Sequence, residues 1–129
     1  MTMSPTQADR LLRTASVDER RVPHLTSAII GNGSLLATLS ARGELERLFW
    51  PNVDWGQHLG ELRLGISIAD AAVTWLDDPR LEHAQHYLGE TTIVETACEL
   101  ATTRDFVYPE RAVLYRLVEA RTEPARLVV

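Results

Sequence analysis

A strict two-residue alternation of side-chain character is the feature that most limits the folds open to this chain. Between positions 62 and 69, apolar side chains alternate with polar or small ones, the apolar set being Leu62, Leu64, Ile66 and Ile68. Successive side chains of a β-strand point to opposite faces, so this segment predicts a strand with one buried face. The stretch TTIVET at 91–96 is rich in β-branched residues, which favour sheets over helix interiors. Because no segment beyond position 25 shows helical periodicity, we predict an all-β fold.

Turn residues divide the chain into about nine such segments, at the spacing of an antiparallel β-sandwich. The predicted strands are 27–30, 34–39, 44–50, 62–69, 82–88, 91–100, 104–107, 112–119 and 126–129. The pair Asn32-Gly33 suits a two-residue type I′ turn, because both of its residues tolerate positive φ. The last strand stops at Val128 and Val129 with no polar exit. We therefore predict an antiparallel, supersandwich-like β-sandwich that is incomplete as given.

The chain divides into a polar N-terminal segment and one domain. Residues 1–22 are predicted to be a polar tail or a short helix, and residues 23–129 a partial N-terminal β-sandwich domain. A formal net charge of −5 argues against a nucleic-acid partner, because binding phosphates requires basic patches. No apolar run approaches the ~20 residues that span a bilayer, and the N-terminus lacks the apolar region of a secretory signal. We therefore expect no membrane partner and a cytoplasmic location.

Recognisable catalytic and cofactor motifs are absent from the sequence. It contains no GxGxxG, P-loop, CxxC or HExxH pattern, so we predict no cofactor. His83 and His86 lie three apart in a predicted strand, where their side chains point to opposite faces, so we predict no metal site. Carboxylates are plentiful, but no two of them are singled out as the acid–base pair of a glycosidase. The lone Cys98 is expected to be a small buried apolar side chain.

One stretch, FWPNVDWGQH at 49–58, concentrates side chains that suit ligand recognition. Pro51 cannot donate a backbone hydrogen bond, so it ends the preceding strand and the following residues form a loop at one end of the sandwich. Aromatic faces beside amides and carboxylates are the chemistry of sugar binding. The candidate contacts for a carbohydrate or a neighbouring domain are Trp50, Asn52, Asp54, Trp55, Gln57 and His58.

The same loop has a purely structural interpretation, in which its tryptophans close the end of the core and Asp54 bonds backbone amides of its own turn. We assign Trp50 to the core, because Leu48 lies two residues earlier on the same strand face. We assign Trp55 to the surface, because it lies between Pro51 and Gly56 in a loop. The loop is thus predicted to be a structural cap first and an interface second.

An ordered set of motifs resembles a known family. The strand IGNGSLLATL, a glycine turn and then LFWPNVD look like the start of the N-terminal β-sandwich domain of glycoside hydrolase family 15 proteins, which include bacterial glucoamylase, glucodextranase and trehalase-like enzymes. Later segments are similar to that family in the same order, namely WLDD at 75–78, YLGETTIVET at 87–96 and DFV at 105–107. The resemblance covers about positions 25–129.

The resemblance implies a function for the chain and also a limit to it. In that family the sandwich precedes an (α/α)6 barrel that carries the catalytic glutamates, so no catalytic residue is carried over here. The implied function is a non-catalytic sandwich domain that packs on this absent barrel, in an enzyme acting on α-glucosidic carbohydrate. The expected partners are the barrel and an α-glucan or oligosaccharide. Two alternatives remain open, a free-standing carbohydrate-binding module and a structural fragment without activity.

Overall fold

The computed structural model describes residues 26–60 and 62–129. It contains ten strands and one short 3-10 turn at Val53–Trp55. The strands are β1 (Ala28–Gly31), β2 (Leu36–Leu39), β3 (Leu45–Phe49), β4 (Gly65–Ile68), β5 (Thr74–Trp75), β6 (Ala84–Tyr87), β7 (Val94–Ala97), β8 (Ala101–Val107), β9 (Leu114–Ala120) and β10 (Ala125–Val128). The predicted tail or helix at residues 1–22 lies outside the described residues.

The strands form three antiparallel sheets. The first sheet has the order β1-β2-β3, the second sheet β10-β4-β5, and the large sheet β6-β7-β8-β9. Ile30 and Leu39 of the first sheet share a core with Val94 of the large sheet. Ile66 of the second sheet shares another core with Ala101 of the large sheet. Both small sheets therefore pack on the large one, and the prediction of an all-β, antiparallel, sandwich-like fold is confirmed.

The β1–β2 hairpin is present, but the predicted type I′ turn centred on Asn32-Gly33 is wrong. Gly31 pairs with Leu36, and the Asn32 N–H donates to the Leu35 carbonyl at 2.8 Å, so Gly33 and Ser34 lie at the tip of the turn. Neither Asn32 nor Gly33 has a positive φ. The reason is that the Asn32 side chain makes hydrogen bonds that an I′ turn does not contain. Its Oδ1 accepts from the Leu35 N–H, and its Nδ2 donates to the Tyr108 carbonyl.

The strand predicted at 62–69 forms its ladder only from Gly65 onward, where it pairs with the unpredicted strand β5. A Cβ at Gly65 would lie 2.5 Å from Val73 Cγ1 and 3.0 Å from a Trp75 ring carbon, so the close approach of β5 requires glycine there. Leu62 and Leu64 still pack against the cores as partly buried side chains. The alternation correctly identified apolar side chains that reach the cores, but the prediction of a single buried face is wrong, because Gly65 and Ser67 on the other face are buried as well.

Two smaller predictions can also be compared with the structure. Cys98 is buried at 8% exposure in the second core, which confirms its assignment as a small apolar side chain. The last predicted strand forms β10 and pairs with β4 from Ala125 to Val128. Its side chains are largely exposed, with Leu127 at 48%.

Candidate functional site

The loop after β3 is closed at its base by backbone hydrogen bonds. β3 ends at Phe49, which pairs with Leu36 on one side and forms an isolated bridge with Gln57 on the other. The His58 N–H donates to the Leu48 carbonyl at 2.7 Å. Residues 50–56 therefore project from the end of the first sheet, and Pro51, which has no N–H to donate, begins this excursion.

A single 3-10 turn organises the tip of the loop. Asn52 is its N-cap, with extended backbone, and the Asn52 Oδ1 accepts from the Asp54 N–H at 2.9 Å. Gly56 ends the turn at φ 82°, a conformation that favours glycine. The capping side chain is thus the amide of Asn52, whereas the structural interpretation of the sequence gave this role to Asp54.

Trp50 and His58 form an exposed pair at the base of the loop. Their rings meet edge to face, with centroids 6.5 Å apart and planes at 61°. The His58 Nε2 also lies 2.6 Å from the Trp50 carbonyl oxygen. Trp50 is 50% exposed, so its assignment to the core is wrong. The β3 ladder stops at Phe49, and beyond a ladder the alternation that aligned Trp50 with Leu48 no longer fixes the direction of a side chain.

The remaining candidates are distributed unevenly. The Gln57 amide braces the chain that leaves the loop, because it accepts from the Leu59 N–H at 2.6 Å and donates to the Leu59 carbonyl. Within the described part of the chain, no hydrogen bond or ion pair involves the exposed Asp54 carboxylate. The prediction that Trp55 lies on the surface concerns a side chain outside those described.

The loop exposes side-chain groups of the kinds that contact ligands. It presents an indole, an imidazole and a carboxylate to solvent, whereas its two amides are used to hold its shape. Among the strand carboxylates, Glu95 pairs with Arg104 at 2.8 Å and Asp105 with Arg116. These groups are committed to structural ion pairs, and the sequence prediction of a chain without a catalytic residue stays a prediction.

Sequence reasoning missed a polar cluster where the three sheets meet. It lines a small surface cleft, and its polar members are Arg42, Glu44, Arg63, Asp77, Thr103 and Arg116. Arg63 holds Asp77 through two hydrogen bonds of 3.1 Å and covers the Trp75 ring at 4.5 Å. The cluster is drawn from several separate parts of the sequence, and each member resembles an ordinary exposed polar residue until the sheets are assembled.

Opposing influences act on the Asp77 carboxyl in this cluster. Burial acts to raise its pKa, but hydrogen bonds with Arg63 and Glu44, together with the positive charge of Arg63, hold the pKa below its usual value. Arg63 and Asp77 therefore neutralise each other within the cluster, and Arg116 is held by Asp105 beside it. This arrangement is typical of a junction between sheets more than of a vacant ligand site.

The two histidines considered for metal binding have separate surroundings. His83 Nε2 lies 2.6 Å from the Leu76 carbonyl oxygen, whereas His86 lies 3.8 Å from Glu95. In residues 26–60 and 62–129, no cluster of three or more potential ligand side chains could hold a metal ion. The same part of the chain contains no helix with the length and apolar character needed to cross a membrane.

Comparison with known proteins gives one informative match. No protein-family profile matches the chain, and no solved structure matches it significantly. Over 94 residues the chain is 37% identical to a protein of Methanocaldococcus jannaschii described as an uncharacterized glycosyl hydrolase. The match covers 70% of this chain but 15% of that relative's length. The chain is thus related to a protein described as a glycosyl hydrolase, and it spans only a small part of that protein.

Proposed function

We propose that this chain is a non-catalytic β-sandwich domain that supports the catalytic domain of a glycoside hydrolase. The observation that carries the proposal is the match to the M. jannaschii relative, which is several times longer than the segment shared with this chain. The sandwich fold suits a supporting role, because its sheet carboxylates are held in ion pairs such as Glu95–Arg104 and Asp105–Arg116.

More specifically, we propose that the chain is a sandwich domain of the glycoside hydrolase family 15 type. It would pack on an (α/α)6 barrel that cleaves α-glucosidic bonds. Two of the motifs that carry this resemblance occupy junctions of the fold. Asn32 of the GNG motif joins the β1–β2 turn to the loop between β8 and β9. Trp75 of the WLDD motif lies under Arg63 beside the polar cluster. Both motif residues thus hold parts of the sandwich together, which fits a domain that supports a catalytic domain.

Co-purification tests the supporting role directly. The M. jannaschii relative, shortened by the segment that matches this chain, is expressed with and without the 129-residue chain. We expect the two parts to co-purify and hydrolysis of maltose to increase when both are present. The chain alone should release no glucose. Glucose release by the chain alone, abolished by neutralising one of its carboxylates, would overturn the proposal.

A second candidate function, direct carbohydrate binding, is favoured by the half-exposed Trp50. An indole beside His58, with the Asp54 carboxylate on the same loop, offers an apolar face together with hydrogen-bonding groups. Calorimetric titration with maltoheptaose tests this function. Binding should be lost in Trp50→Ala and kept in Leu127→Ala, a change at a similarly exposed site on β10. Absence of binding to the wild-type chain would exclude this second function and leave the supporting role untouched.

A further inference from the structure

Strand β9 forms an edge of the large sheet, and it is long and regular for an edge strand. It pairs with β8 over all seven residues from Leu114 to Ala120, without a register shift. Among the described residues, no strand pairs with its other edge. Edge strands of this kind are templates for pairing with another chain unless the protein blocks them.

The backbone groups that β9 offers can be identified from the hydrogen bonds at its two ends. The Tyr108 N–H donates to the Val113 carbonyl, and the Arg121 N–H donates to the Leu100 carbonyl. Hydrogen-bonded pairs alternate along an antiparallel ladder, so the odd-numbered residues between these ends direct their backbone groups to β8. The N–H and C=O groups that point away from the sheet belong to Leu114, Arg116, Val118 and Ala120.

The edge strand β1 shows how this protein blocks an edge. The Ile29 N–H donates to the Tyr87 hydroxyl at 2.9 Å, and the same hydroxyl donates to the Ile29 carbonyl at 2.8 Å. One side chain therefore occupies both outward backbone groups in the middle of β1. The edge strands β5, β6 and β10 are short, at two, four and four residues.

β9 carries none of these protections. It contains no proline, no lysine and no bulge. Its one basic side chain, Arg116, is turned inward to Asp105 and is only 12% exposed, so it cannot repel an approaching strand. Its outward face carries Tyr115 at 44% exposure, Leu117 at 54% and the Glu119 side chain at 73%. The free edge is thus bordered by two exposed apolar side chains and one carboxylate.

We propose that β9 pairs antiparallel with β9 of a second copy of this chain, about a two-fold axis at Leu117. Leu117 is the midpoint of β9, so this register gives the greatest overlap of the two strands. It sets Leu117 opposite its own copy in a non-hydrogen-bonded pair, where Cα atoms are ~4.5 Å apart and side chains meet closely. Tyr115 then faces Glu119 of the other copy, so that a phenol hydroxyl can donate to a carboxylate.

The two neighbouring symmetric registers are disfavoured by their smaller overlap. Centring the axis on Arg116 or on Val118 would pair five residues of β9 with the other copy, instead of all seven. The register centred on Leu117 instead sets Arg116 opposite Val118. Because β9 contains one Arg and one Glu, this arrangement pairs no like charges along the strand. The inference is independent of the proposed function, since it depends only on the edge of the large sheet.

The first experiment measures the mass of the 129-residue chain in solution by sedimentation equilibrium. We expect a dimer, and we expect Leu117→Lys to raise the dissociation constant at least ~10-fold by placing two ammonium groups opposite each other. Ile29→Lys is the matched control, because Ile29 is 52% exposed on the capped edge, and it should leave the dimer intact. Mixing Leu117→Lys with Leu117→Asp chains should restore dimers. A monomeric wild-type chain, or equal effects of the two lysine variants, would overturn the proposal.

A backbone test covers the case in which a charge at position 117 disturbs folding. Val118→Pro removes an N–H that points to the free edge, whereas Val118→Thr keeps this N–H and a β-branched side chain. We expect the proline variant to be a folded monomer and the threonine variant a dimer, with folding checked by circular dichroism. A folded proline variant that remains dimeric would show that another surface holds the copies together.

Discussion

The guanidinium of Arg116 holds the carboxylate of Asp105 between the sheets, with Nη2 and Oδ2 3.0 Å apart and a second bond from Nε. The same guanidinium donates to the Gly43 carbonyl in the β2–β3 turn. Asp105 is fully buried. Burial raises the pKa of Asp105, while the hydrogen bonds and charge of Arg116 oppose this rise. One ion pair therefore ties the large sheet to the first sheet in the interior of the sandwich.

Removal of one member of this pair should be much more damaging than removal of both. We expect Asp105→Ala to lower the free energy of unfolding by about 3–5 kcal/mol, because it leaves an uncompensated buried charge. The double change Asp105→Leu with Arg116→Met should recover most of this loss. Urea denaturation measures both. Arg104→Ala, at an exposed ion pair, is the control and should change stability little. Equal losses in the single and double variants would mean that the pair is not electrostatically coupled.

The fold class followed from the sequence because alternation is a local property. In β8, Ala101, Thr103 and Asp105 are inward and buried, as a period of two requires. What alternation cannot supply is the position at which a ladder begins or ends. For this reason β4 begins three residues later than predicted and Trp50 turns outward. The two-residue β5 is too short to carry a periodic signal.

The candidate site was only partly predictable for a related reason. Pro51 identified the loop, because a missing backbone donor is visible in the sequence. The pairing of Trp50 with His58, and the use of Asn52 and Gln57 as braces, depend on how the chain returns to β3. The polar cluster around Asp77 depends on contacts between three sheets. No local pattern records such contacts.

Asp77 should contribute a recognisable part of the acid sensitivity of the fold. Its folded-state pKa is lowered from the usual 3.8, so its stabilising effect is present above that value and is lost as the pH falls through the folded pKa. The stability difference between wild type and Asp77→Asn should therefore be largest near neutral pH and shrink in acid. Urea denaturation at a series of pH values measures this. Arg63→Met, which removes the hydrogen-bond donor, should flatten the same part of the profile. A difference that grows in acid would contradict the assignment.

Trp50→Ala should have only a modest effect on stability. Because half of this side chain remains in water, we expect a loss of about 1 kcal/mol. Ile30→Ala, at a site that is 1% exposed, should cost about 2–5 kcal/mol. Thermal or urea unfolding of the two variants side by side provides the comparison. Equal losses of stability in Trp50→Ala and Ile30→Ala would mean that Trp50 is a core residue and would contradict its role in a recognition surface.

The hydroxyl of Tyr87 should protect the edge of β1. Tyr87→Phe removes the group that bonds both the N–H and the C=O of Ile29, at a net cost of about 1 kcal/mol. The Ile29 amide should then exchange with solvent much faster, which NMR-detected hydrogen exchange measures. Tyr108→Phe is the control, because the hydroxyl of Tyr108 makes no hydrogen bond within the described part of the chain. Unchanged exchange at Ile29 would show that the hydroxyl does not cap this edge.

Replacing the Asn32 amide with a carboxylate tests whether this side chain holds the β1–β2 turn to the loop between β8 and β9. Its Oδ1 accepts from the N–H groups of Ser34 at 2.8 Å and Leu35 at 2.9 Å. Its Nδ2 donates to the carbonyls of Tyr108 and Arg111, both at 2.8 Å. Asn32→Asp preserves every acceptor contact but loses both donors and sets a negative charge against two carbonyl oxygens. We expect a loss of about 2–3 kcal/mol at neutral pH, measured by urea denaturation.

This loss should itself depend on pH, because the two carbonyls raise the folded-state pKa of the introduced carboxylate. A group with a raised folded-state pKa stabilises the fold in acid, and this stabilisation is lost as the pH rises through that pKa. The free energy of unfolding of Asn32→Asp should therefore recover in part at low pH. Ser34→Ala, which removes only the hydroxyl bond to Oδ1, provides a control for the acceptor half of the amide. If Asn32→Asp is as stable as the wild type at neutral pH, the bonds from Nδ2 do not hold the β1–β2 turn to the loop between β8 and β9.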